Sequence, residues 1–192
     1  MVNLKKNPDS IELKTSSEED KLRSRLKDLL LNSKIPQNQI LSNLGLFLDS
    51  KHLSRILLID HLFKLTVGVH GDIFEFGSRW GQNSSLFSAL RGIYEPFNRH
   101  KKIIAFDTFD GFPNVHKKDG THQMMFKGAL KTHDKYEKFL GEILEIQEKL
   151  NPLSHIKKYE IIKGDAVKEF PKYISKNQHT IISLAYFDFD IY

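Results

Sequence analysis

The chain contains no cysteine, which excludes disulfides, thiolate nucleophiles and cysteine-based metal centres. No apolar core follows its start, MVNLKKNPDS, and the most apolar helical stretch is interrupted by Asp60, His61 and Lys64. Neither a secretory leader nor a membrane span is therefore expected, and a cytoplasmic protein without a membrane partner is the reading that fits. The phosphate-loop, G-x-S-x-G and H-E-x-x-H patterns are all missing, so nucleoside-triphosphatase, serine-hydrolase and zincin chemistries have no foothold. His116, His122 and His133 lie close in sequence, but at spacings that match no zinc pattern.

What is present is a 192-residue chain, 40% hydrophobic, with a formal net charge of +5. That is enough for one globular domain with a helical appendage. The lysines and arginines are spread along the chain rather than gathered in a track, so nucleic acid is not expected as a partner. The most informative stretch runs from Gly71 to Pro113. Ile73, Phe74 and Phe76 form a short apolar strand, Gly77 and Gly81 frame a turn, and Leu86, Phe87, Leu90 and Ile93 recur at helical spacing. A second apolar run, Ile103 to Phe106, ends in Asp107. This is a βαβ unit with glycines after one strand and a carboxylate at the tip of the next, where open parallel sheets bind ligands.

The remaining elements follow from the same periodicities. Residues 1–15 are polar and untethered. A capping box at Ser16 to Glu19 opens a helix carrying Leu22, Leu26, Leu29 and Leu30. A shorter helical segment over Gln39 to Phe47 and a helix from Asp49 or Ser50 to Gly68 complete an N-terminal helical part, 16–68. It is read as a cap on the sheet domain, 69–192, with a lid or a homo-oligomer surface left open. Asn114 to Lys131 is too long for an ordinary connection and reads as a substrate-facing flap. A helix over Tyr136 to Leu150 follows, then a strand at Tyr159 to Ile162 ending in Gly164, Asp165 and Ala166. A helix around Val167 to Ile174 leads to the run Thr180 to Phe187, an apolar strand of the kind buried on both faces. Beyond it, Asp188 and Asp190 sit at i and i+2, a spacing that points both carboxylates into one pocket on an extended strand. Two close carboxylates suit a divalent cation, or a base paired with a ligand.

The segment Glu75 to Gly81, EFGSRWG, lacks the dinucleotide G-x-G-x-x-G and instead resembles the first motif of class I S-adenosylmethionine-dependent methyltransferases. Read together, EFGSRWGQN, RGIYEPFN, IIAFDTFDGFP, KGDA and AYFDFDIY resemble the macrocin O-methyltransferase (TylF-type) family of sugar O-methyltransferases, from about Asn43 to Tyr192. The resemblance implies an α/β, Rossmann-like class I fold with a parallel sheet and flanking helices. For the cofactor it implies that Glu75 orients the loop and Gly77 admits the ligand. N–H groups near Gly81 and Gln82 would face its amino-acid end, Asp107 its ribose and Asp165 its adenine, with Thr108 and Ala166 also in the cofactor site. It also implies magnesium held in part by Asp188, Asp190 as general base, and a small-molecule sugar or glycosylated substrate from natural-product or surface-glycan biosynthesis. The further metal carboxylates of the family come from a fifth strand, and the sequence contains none after Phe187. The expectation is therefore a chain lacking the C-terminal strands, with an incomplete metal site. A non-catalytic fragment is one alternative. An NAD-dependent oxidoreductase, disfavoured by the missing fingerprint, and a nucleic-acid methyltransferase, supported by charge alone, are the others.

Overall fold

The computed structural model describes residues 16–191; residues 1–15, read above as polar and untethered, and Tyr192 lie outside the described residues. The described chain divides into two compact units, 16–58 and 59–191.

In the first unit, helix α1 spans Ser17–Leu31. Ser16 Oγ accepts from the Glu19 N–H at 3.2 Å while the Glu19 carboxylate accepts from the Ser16 N–H, the reciprocal cap that the sequence announced. Two short 3₁₀ segments, Gln37–Gln39 and Leu41–Phe47, lead to helix α2, Ser50–Lys64. Asp49 starts α2 by accepting from the His52 N–H at 2.8 Å, and it also accepts from Arg23 Nε at 3.1 Å. These bonds, the His52 backbone donor first, lower its pKa to about 2.

The second unit is a four-stranded parallel sheet of β1 Asp72–Phe76, β2 Ile103–Asp107, β3 Tyr159–Lys163 and β4 Ile182–Phe187. The spatial order is β3-β2-β1-β4. Helices α3 Gln82–Tyr94, α4 Tyr136–Leu150 and α5 Ala166–Lys176 make the crossovers. Because side chains alternate along a strand, Ile73 packs with Phe87, Ile103, Ile59 and Phe63 on one face, the last two from the end of α2. Phe74, Phe76, Ile104 and Phe106 pack with Tyr173 and Phe170 of α5 on the other. The phenylalanines on this face stack across strands, Phe76 lying 5.1 Å from Phe106 and 4.7 Å from Phe187 between ring centroids. The chain reverses direction across the sheet between β1 and β4, and the crevice above their carboxyl ends is the place this topology offers a ligand.

One expectation changes. The run Thr180 to Phe187 was read as a strand buried on both faces, yet Ile182 is 39% and Phe187 64% exposed. Its only strand partner among the described residues is β1, so β4 is an edge strand and its outer flank meets no neighbour. Among the described residues no helix is long and apolar enough to cross a membrane.

The opposite end of the sheet is tied by buried charges that periodicity did not reveal. Arg91 of α3, 2% exposed, donates to Glu148 of α4 at 2.7 Å and to the Lys158 carbonyl at 2.8 Å. Lys158 Nζ reaches the same carboxylate at 2.6 Å and the carbonyls of Leu153 and Ile156 at 3.0 Å. Beside them Lys101 is buried against Glu95 and donates to the Thr66 carbonyl at 2.7 Å. Removing one partner of such a cluster strands the others in a medium that solvates them poorly. Glu148→Ala is accordingly expected to cost about 3–5 kcal/mol in urea denaturation. Glu145→Ala, at the exposed Glu145–Lys149 pair of the same helix, should leave stability close to wild type.

Candidate functional site

The loop leaving β1 turns sharply because its glycines allow it. Gly77 has φ +87°, and a Cβ there would lie 2.5 Å from the Asp188 carbonyl oxygen, so the exit of β4 can approach only a glycine. Gly81, φ +73°, caps α3, and a side chain there would strike Leu140. Between them Arg79 holds φ +44°, a left-handed conformation that costs a residue with a Cβ of order 1–3 kcal/mol and persists only where surroundings enforce it.

Asp107 does the enforcing. At the tip of β2, its Oδ2 accepts from the Arg79 N–H at 2.7 Å and its Oδ1 from the Phe109 N–H at 2.6 Å. Phe109, like Arg79, has positive φ. One carboxylate thus fastens the loop after β1 and the loop after β2. Burial raises the pKa of Asp107, and the two backbone donors oppose that shift. Each oxygen retains acceptor capacity beyond its backbone donor, and Asp107 lines a cavity at the strand tips. The Asp107 carbonyl accepts from the Gly164 N–H at 2.8 Å, which brings in the tip of β3. There Asp165 caps α5 by accepting from the Val167 N–H at 3.0 Å.

These tips surround one cavity of about 310 Å³, the size of a small-ligand site. Gly77, Asp107, Thr108, Asp165, Ala166, Asp188 and Asp190 all line it. Glu75, Gly81 and Gln82 do not. Glu75 lies beneath the loop, 1% exposed, and accepts from the hydroxyl and N–H of Ser84 and from Asn83 in the first turn of α3. The sequence predicted that Asp188 and Asp190 share a pocket through strand alternation. They do line one, but β4 has already ended at Phe187, and Phe189 and Ile191 line the same wall. The Asp188 N–H still donates to the Phe76 carbonyl at 2.9 Å, which holds the first of them against the end of β1.

Both ends of the predicted flap reach the cavity, through Pro113, Asn114 and Leu130. Its base is closed by backbone bonds from Phe112 to Ala129 at 3.0 Å and from Gly128 to Phe112 at 2.9 Å. His116 and His122 act locally, their Nδ1 atoms accepting from the N–H groups of Lys118 and Met124. His133 lies beside the Trp80 ring. Arg79 is the charged lining residue that sequence reasoning missed, although its position between the two glycines of the motif was the available signal.

The residues present suit S-adenosylmethionine. Four aspartates favour its sulfonium and ammonium charges, Asp107 has acceptor capacity for ribose, and Phe106, Phe112, Leu130 and Val167 supply apolar walls. They do not suit magnesium in the same way. Among the described residues no group of three His, Cys, Asp or Glu could hold a metal ion, and Asp188 and Asp190 alone would leave most of magnesium's octahedral shell to water or substrate oxygens.

No family model matches the chain, and no curated protein does. Among solved structures the chain is similar to CalS11, the calicheamicin methyltransferase, with a TM-score of 0.91 and 36% identity, over 96% of this chain and 74% of that one. It is also similar to the apo structure of CalS11, a TDP-rhamnose 3'-O-methyltransferase of calicheamicin biosynthesis, with a TM-score of 0.79 and 34% identity, over 94% and 69%.

Glu75 makes the site sensitive to pH. Burial raises its pKa to about 7, and the nearby charge of Asp188 pushes the same way, while the bonds from Ser84 and Asn83 oppose. A carboxyl whose pKa is higher folded than unfolded binds its proton more tightly in the native state. The stability this confers is complete below the unfolded value near 4.5 and is lost as pH rises through about 7. Glu75→Gln should remove this dependence. Between pH 4.5 and 7.5 wild type is expected to lose up to roughly 3 kcal/mol relative to the variant. A difference in urea stability that stays constant over that range would refute the assignment.

Proposed function

Because the chain belongs to the family of S-adenosylmethionine-dependent methyltransferases that includes CalS11, we propose that it methylates a hydroxyl group of a sugar, carried on a nucleotide or a larger scaffold in natural-product or surface-glycan biosynthesis. The observation that carries this reading is the convergence of Gly77, Asp107, Asp165, Asp188 and Asp190 on a single cavity at the carboxyl ends of parallel strands.

When bound, S-adenosylmethionine supplies an electrophilic sulfonium methyl group. Asp107 would accept from the ribose hydroxyls with the lone pairs left by Arg79 and Phe109. Asp165 would sit at the adenine, with Ala166 and Val167 as apolar wall. Glu75 acts from below, holding the first turn of α3 against the glycine loop; Gly81 gives that turn its start, and Gln82 lies exposed beside it. Asp190, exposed at the cavity wall, would take the proton of the attacking sugar hydroxyl, so that neutral alcohol becomes nucleophile as the bond to carbon forms. Holding hydroxyl and methyl group in line would supply much of the acceleration, since oriented reactants contribute roughly 7–11 kcal/mol. The magnesium that the family resemblance implies would find one ligand in Asp188.

Two substitutions separate these roles. Asp107→Ala is expected to weaken binding of S-adenosylhomocysteine by at least tenfold in calorimetry, and unchanged affinity would remove Asp107 from the ribose. Asp190→Asn should keep that affinity but lower methyl transfer to a sugar acceptor by 10²-fold or more. Full turnover in the Asn variant would exclude Asp190 as the base.

A further inference from the structure

Arg79 is the sole lysine, arginine or histidine among the residues lining the cavity, which also presents Asp107, Asp165, Asp188 and Asp190. Its Nε is shut off from solvent and meets no hydrogen-bond partner among the described residues. Its guanidinium carbon lies 5.3 Å from the centre of the Trp80 ring, a contact that orients the planar group. The residue stands at φ +44°, where glycine would fit without strain. A buried donor without a partner costs free energy unless a ligand supplies the acceptor. A strained backbone held by Asp107 places Arg79 on the cavity wall.

The charge pattern identifies the acceptor. Given the methyl donor assigned above, on which this step rests, its sulfonium and ammonium groups are matched by aspartates, but its carboxylate would be repelled by four of them. The first turn of α3 is not placed to help. Gly81 and Gln82 do not line the cavity, and the Ser84 N–H and Asn83 are engaged by Glu75. We propose that Arg79 receives the carboxylate of the methyl donor's amino-acid end, by charge-assisted hydrogen bonds from its guanidinium. Trp80 and Asp107 are then positioning residues for Arg79, one through its ring and the other through the backbone.

The test compares two ligands that differ at that end, S-adenosylhomocysteine and 5'-methylthioadenosine, which lacks the carboxylate, with thymidine diphosphate as a third. Binding to the full chain would be measured by calorimetry for wild type, Arg79→Gln and Arg79→Gly. Arg79→Gln is expected to weaken S-adenosylhomocysteine roughly 10- to 100-fold and to leave 5'-methylthioadenosine within about twofold. Arg79→Gly, free of the backbone strain, should show the same split with a melting temperature no lower than wild type. Equal loss for both ligands would make Arg79 a support of the loop and overturn the proposal, as would no loss for either. So would a loss confined to thymidine diphosphate, which would move the guanidinium to a substrate phosphate. Failure of wild type to bind S-adenosylhomocysteine would overturn the methyl-donor assignment itself, and is distinct from each of these results.

Discussion

The bond pair from Asp107 to the Arg79 and Phe109 N–H groups is the constraint on which the site depends. Both donors belong to residues with positive φ, and neither is a glycine, so each loop adopts a conformation it would not hold alone. A buried carboxylate is costly in isolation, and these two donors are what make it tolerable at the tip of β2. The same two bonds set the spacing between the glycine loop and the loop after β2, which together form much of the cavity wall. Ligand recognition and loop geometry therefore share one side chain.

The two ends of the sheet treat charge differently. At the carboxyl ends, four aspartates and one arginine line a cavity, a surplus of negative charge facing a space that a cationic ligand can occupy. At the amino ends, Arg91, Lys101 and Lys158 are matched by Glu95 and Glu148 and by backbone carbonyls, with nothing left for a ligand. The first arrangement is unbalanced and suited to binding; the second is balanced and suited to holding α3, α4 and the strand starts in register. Glu75 stands between these cases. It is buried like the lower cluster but faced by donors that carry no full charge, which is why its proton is held up to about pH 7.

The sequence by itself determined the order of elements, the parallel βαβ pattern, the glycine turn and the acids at three strand tips. Each is a local property: a period of two or 3.6, a capping residue, or a glycine where φ must be positive. The family motifs Glu75 to Gly81 and Asp188 to Asp190 were legible for the same reason, being contiguous. Tertiary structure alone decided how far the faces of β4 are exposed, because burial depends on which neighbours exist in space. It alone decided that Asp188 and Asp190 lie past the end of β4, with the Asp188 carbonyl packed against Gly77. The buried Arg91, Glu148 and Lys158 cluster and the unpartnered Nε of the cavity-lining Arg79 were also invisible beforehand. Their partners are separated by tens of residues or are backbone atoms, and no periodicity records which charged side chain will find one.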